Sequence, residues 1–83
     1  MKRDMELVVK ILELIEGLET HQIDRKLIKI EGYSDDLIQG HVSLMLERGY
    51  LFRSGKFDPF SGDLHVSISW EGYNFLVPYR KVG

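Results

Sequence analysis

The sequence predicts a small α+β domain in which amphipathic helices share one core with a β-hairpin. Three observations carry that expectation. Residues 4–16 and 34–48 place apolar side chains at spacings of three and four. Residues 65–70 alternate polar and apolar at period two. A stretch containing two glycines and a proline precedes that alternation, where a hairpin turns. At 83 residues the chain reads as one domain, 1–83, with a single core.

The first helix spans 4–16. Asp4 is a suitable N-cap, because its carboxylate accepts a free backbone N–H of the first turn. Met5, Val8, Ile11, Leu12 and Ile15 form the inward stripe, and Gly17 stops the helix. Residues 18–33 are ambiguous. Asp24–Ile30 reads either as one or two helical turns with Leu27, Ile28 and Ile30 inward, or as a short strand at Lys29-Ile30. Glu31-Gly32-Tyr33 breaks any helix there.

The clearest helix covers 34–48. Ser34 caps it, and Asp35 and Asp36 sit in the first turn, where negative charge favours the positive end of the helix. Ile38, His41, Val42 and Met45 make the buried stripe, with Leu37 and Leu44 on its flank. Gln39, Gly40, Ser43 and Glu47 face away, Leu46 falls outside the stripe, and Gly49 ends the helix. A hairpin follows over 50–70. Tyr50–Arg53 is its first strand, residues 54–63 are a long irregular tip, and Val66, Ile68 and Trp70 are the inward side of its second strand. A short helix, 71–77, closes the fold. Ser69 is its cap, Tyr73, Leu76 and Val77 fold back on the core, and Pro78 ends it. Helix, short element, helix, hairpin, helix is the order of a winged helix-turn-helix: a three-helix core with a β-hairpin wing and a short C-terminal helix.

Composition removes several function classes. Hydrophobic residues make up 43% and charged residues 29%, which excludes a disordered chain. The chain contains no cysteine, so disulfides and thiolate metal sites are excluded. A reducing, cytoplasmic setting fits that composition. No apolar run approaches the roughly 20 residues that cross a bilayer, so no membrane contact is expected. Asp4 and Glu6 interrupt any signal-peptide pattern. A core of this size yields only about 3–5 kcal/mol of net stability, which makes a homodimer a reasonable way to bury more surface. His21, His41 and His65 share no metal-ligand spacing, and there is no glycine-rich phosphate loop. The sequence therefore predicts no catalytic site, no metal and no cofactor. His41, alone on an apolar stripe, reads as a core histidine. Asp35 and Asp36 read as capping charges rather than an acid–base pair.

Two resemblances sharpen the fold. Ser34, Ile38, Val42, Met45, Gly49, Tyr50 and Leu51 resemble the recognition-helix region of MarR-type regulators. Ser69-Trp70-Glu71-Gly72 resembles the Leu-Thr-x-x-Gly step that follows the wing in that group. A nearer resemblance covers almost the whole chain. Met1-Lys2-Arg3-Asp4-Met5-Glu6-Leu7-Val8, Ile30-Glu31-Gly32-Tyr33-Ser34, His41, Ser69-Trp70-Glu71-Gly72 and Phe75-Leu76 are similar to an uncharacterised bacterial and phage family of YjcQ-like winged-helix proteins. That resemblance implies a winged helix and a prophage setting. It implies no particular chemistry.

Two functions follow. The leading one is an accessory DNA-binding or regulatory protein acting on double-stranded DNA, with helix 34–48 in the major groove. Gln39 and Ser43 are its candidates for base edges, and Arg25, Lys26, Lys29, Arg53 and Lys56 its candidates for phosphates. Lys2, Arg3, Arg80 and Lys81 add basic ends. The net charge of −2 opposes strong non-specific DNA affinity. Asp35 and Asp36 oppose it locally, since each repels a phosphate at the helix end. The alternative is a protein-interaction module. It would use Asp35, Asp36 and Glu47 as an acidic patch for a protein partner and Phe57 and Phe60 as wing anchors.

Overall fold

A computed structural model of the protein describes residues 4–58 and 63–80, with side chains described for 4–54 and 65–78. Helix α1 is Met5–Glu16, strand β1 is Gln22–Asp24, and a single 3-10 turn occupies Arg25–Leu27. Helix α2 is Asp35–Arg48, strands β2 and β3 are Leu51–Asp58 and Asp63–Ile68, and helix α3 is Trp70–Arg80. The architecture among the described residues is α+β: three α-helices and a three-stranded antiparallel sheet of order β1-β3-β2.

Local chemistry explains most boundaries. Asp4 caps α1 by accepting the Leu7 N–H at 3.2 Å. Ser34 caps α2 by accepting the Leu37 N–H at 3.2 Å. Gly49 ends α2 at φ +80°, in the left-handed region that glycine tolerates. The Tyr50 N–H then reaches the Met45 carbonyl at 2.9 Å, and the Gly49 N–H the Leu46 carbonyl at 3.3 Å. These are the paired bonds that satisfy a helix end turned by glycine.

The core lies between α1, α2, α3 and the inner face of the sheet. It holds Leu7, Ile11, Leu12 and Ile15 of α1, Ile38, Val42 and Met45 of α2, Leu51, Val66 and Ile68 of the sheet, and Leu76 of α3. Helix α1 buries a wider face than its predicted stripe, adding Leu7 and Val9, because it packs against α2, α3 and β3 at once. His41 is fully buried. Its Nδ1 lies 2.9 Å from the Leu37 carbonyl, and its Nε2 accepts the Asp4 N–H at 2.9 Å. That pair of bonds requires the neutral ring with its proton on Nδ1. A core histidine thus ties the start of α1 to the middle of α2.

Six sequence expectations need correction. The strand in the ambiguous region is Gln22–Asp24, not Lys29-Ile30, because β3 offers it an edge: Ile23 pairs with Val66. Leu27 is 66% exposed rather than inward, since the turn at 25–27 directs Ile28 into the core instead. Strand β2 runs to Asp58, pairing with Asp63 after a register irregularity between Ser54 and Asp58, so the tip is shorter than expected. Trp70 is 79% exposed. Period-two alternation stops at Ser69, whose Oγ accepts the Gly72 N–H at 3.0 Å and starts α3, so Trp70 becomes a first-turn helical residue pointing outward. Helix α3 continues past Pro78 to Arg80, and Val77 faces outward while Phe75 packs on Tyr50 at a ring separation of 4.8 Å.

At the junction between β3 and α3 two stretches of backbone approach closely. A Cβ on Gly72 would lie 2.3 Å from the Tyr50 carbonyl oxygen and 2.9 Å from Ile68. The neighbour is backbone and the Ser69 N–H already binds it, at 3.0 Å. Gly72→Ala is expected to destabilise the chain by about 1–3 kcal/mol through this overpacking. Chemical denaturation checks it, and an unchanged midpoint would mean that the close approach carries no constraint.

Candidate functional site

The outward face of α2 is built from the 3-10 turn upward. Asp24 accepts the Lys26 N–H at 2.9 Å and so fixes the turn that carries Arg25. The Arg25 guanidinium then lies across α2. Its Nε donates to Gln39 Oε1 at 2.8 Å. Its Nη2 donates to the Gln39 carbonyl at 3.0 Å and to Ser43 Oγ at 2.9 Å. Gln39 answers by donating from Nε2 to the Arg25 carbonyl at 2.5 Å. The arrangement works because Gln39 and Ser43 are four residues apart on one helix face. Both ends of the Gln39 amide are engaged, which leaves it a support rather than a free reader of an adenine edge. Ser43 accepts from Arg25 and keeps its own proton to donate.

Two open clefts meet at Arg25. One, of about 430 Å³, is lined by Arg25, Lys26, Lys29, Asp35 and Gln39. The other, of about 670 Å³, runs between α2 and β2 and is lined by residues that include Arg25, Ser43, Leu46, Glu47, Phe52 and Arg53. Arg53 pairs with Val66 in the sheet register and so lies on the face turned toward α2. Burial of the Arg25 guanidinium, and after it the positive charge of Arg53, hold Arg25 below the usual arginine range. Lys29 forms an ion pair with Asp35 at 2.8 Å, with both side chains well exposed. Exposed pairs of this kind contribute little to stability. The pairing does offset part of the acidity at the start of α2.

The structure thus brings Arg25, Lys26, Lys29, Gln39, Ser43 and Arg53 together on one side of the molecule. Asp35, Asp36 and Glu47 share that side and are exposed. The Lys56 and Phe57 side chains, together with Phe60 and the basic ends Lys2, Arg3, Arg80 and Lys81, lie outside the described side chains. Sequence reasoning missed Asp24 as the anchor of the turn and Phe52 as a wall of the larger cleft. Phe52 follows the inward Leu51, so period-two alternation was the signal that turns it outward, where it is 49% exposed. The register also sets Asp24, His65 and Ser54 in one row across the sheet. Asp24 serves there as a cap. Among the described residues no cluster of three or more His, Cys, Asp or Glu could hold a metal ion. Among them also, no helix is long and apolar enough to cross a membrane.

Residues 2–82 match the model of a family described only as a hypothetical protein. That family is DUF2513, and the chain belongs to it. No curated protein and no solved structure matches the chain.

The Arg25–Gln39 exchange is testable by stability. Arg25→Ala and Gln39→Ala should each destabilise by about 1 kcal/mol, with a coupling energy of about 0.5–1 kcal/mol in a double-mutant cycle, reduced by the partial exposure of the pair. Strict additivity would show that the bonds do not hold the turn to the helix.

Proposed function

We propose that the protein is a non-enzymatic winged-helix protein of the cytoplasm that binds double-stranded DNA in an accessory regulatory role. The observation that carries this reading is convergence. Arg25 and Lys26 from the turn, Lys29 from the following loop and Arg53 from β2 come from separate stretches of chain, yet all line the clefts beside α2. The strand order β1-β3-β2, with α2 preceding the hairpin, supports the winged-helix arrangement. The resemblance of residues 34–51 to MarR-type regulators supports it too. In this reading the outer face of α2 enters the major groove, Ser43 reaches a base edge or phosphate, and the flanking cations contact the backbone.

Binding of this kind depends steeply on salt, because each neutralised phosphate releases counterions. With three or four such contacts, raising salt from about 50 mM to about 200 mM should weaken binding by about 40- to 150-fold. Anisotropy of a labelled mixed-sequence duplex measures this. Micromolar protein that leaves the duplex unbound at about 50 mM salt would remove the reading.

A second reading, a protein-interaction module, is favoured by exposed Phe52, which shares a cleft with the acidic Glu47, and by the exposed Asp35 and Asp36. It expects a basic protein partner captured from host lysate to be lost from Phe52→Ser while duplex binding is absent. Retention of every captured protein by that variant would dismiss it.

A further inference from the structure

Arg25 and Arg53 are two permanently charged groups placed around one cleft. Such a pair repels itself unless something negative lies between its members, and the charge of Arg53 is felt at Arg25. The two differ in freedom. Arg25 has spent Nε and Nη2 on Gln39 and Ser43, three of the five donors a guanidinium owns. Among the described residues its Nη1 pair remains, on a planar group already fixed in orientation. An arginine ordered in this way loses less freedom on binding than a loose one, and its fork matches the oxygens of a phosphate. Arg53 is exposed at the other side of the same cleft. Ser43 lines the same cleft and, accepting from Arg25, retains a hydroxyl proton.

We propose that Arg25 and Arg53 close as a two-guanidinium clamp on a single phosphodiester of the DNA backbone, with Ser43 as a third donor. This rests on the DNA reading above and deepens it, by fixing the register of α2 in the groove at one phosphate. Gln39 is a positioning residue that holds Arg25 in place. Glu47 lines the same cleft, where its carboxylate offsets part of the positive charge and repels an incoming phosphate, so it lowers affinity.

The test is a duplex titration across salt with four proteins. Arg53→Gln should weaken binding by about fivefold to tenfold at every sequence, since a backbone contact is blind to bases. Glu47→Gln should tighten it. The double variant Arg25→Gln with Arg53→Gln should flatten the slope of log affinity against log salt by about 0.9, the value for one phosphate. A flattening of about 1.8 would mean two separate phosphates and would overturn the clamp. Should Arg25→Gln unfold the chain, Arg53→Lys replaces the double variant. Lysine keeps the charge without the fork, so the clamp expects most of the Arg53→Gln loss to persist, whereas full retention of affinity overturns it. A second probe separates this inference from the reading beneath it. Inorganic phosphate should raise the melting temperature of the unaltered chain and not of Arg53→Gln. No duplex binding together with that phosphate effect overturns the DNA reading and leaves the anion site. Duplex binding indifferent to Arg53 overturns the clamp alone.

Discussion

Ile38, Val42 and Met45 lie on one side of α2, and all three are buried. Exposing any one of them would cost about 1.5–3 kcal/mol, a large part of the stability of so small a domain. That cost fixes the rotation of α2 about its own axis. Once the rotation is fixed, Gln39 and Ser43 must point outward, four residues apart, and Arg25 finds both within reach. The polar face is therefore a consequence of the apolar one. Without a rigidly seated α2, the turn at 25–27 would have nothing to bind and the clefts on either side of Arg25 would not form.

Polar groups then register the pieces against one another. His41 links α1 to α2 through the Asp4 N–H, so the residue that caps α1 with its side chain is itself held by its backbone. Ser69 does similar work at the other end of the domain, donating from Oγ to the Gly49 carbonyl and accepting from Gly72. Asp24 closes the sheet edge and opens the turn. Each of these residues serves two elements, which is how a chain with no disulfide holds its segments in register.

Long periodic segments were legible in the sequence because burial of a face decides them. Helices α1 and α2, their caps, Gly49 and the buried role of His41 all follow from spacing and cap chemistry. The region 22–30 was not legible, since a three-residue strand carries too little pattern and depends on β3 supplying a partner. Trp70 was misread for a related reason. Alternation continues through it in the sequence, but Ser69 captures the Gly72 N–H, and a helix replaces the strand one residue too early for Trp70 to turn inward. At the site, the residue types were readable, but their grouping beside α2 was not, since it depends on where the turn and β2 pack. The Arg25–Gln39 exchange was not, because it joins residues fourteen apart whose meeting depends on the turn.

The outward Trp70 is the only tryptophan of the chain. Its indole already sees solvent when the protein is folded, so its emission shifts little when the core melts. Intrinsic fluorescence is consequently a weak gauge of unfolding here, and backbone dichroism is the better one. The same indole, standing at the start of α3 beside the Tyr50–Gly72 junction, is a sensitive optical label for anything that comes to rest on that end of the molecule.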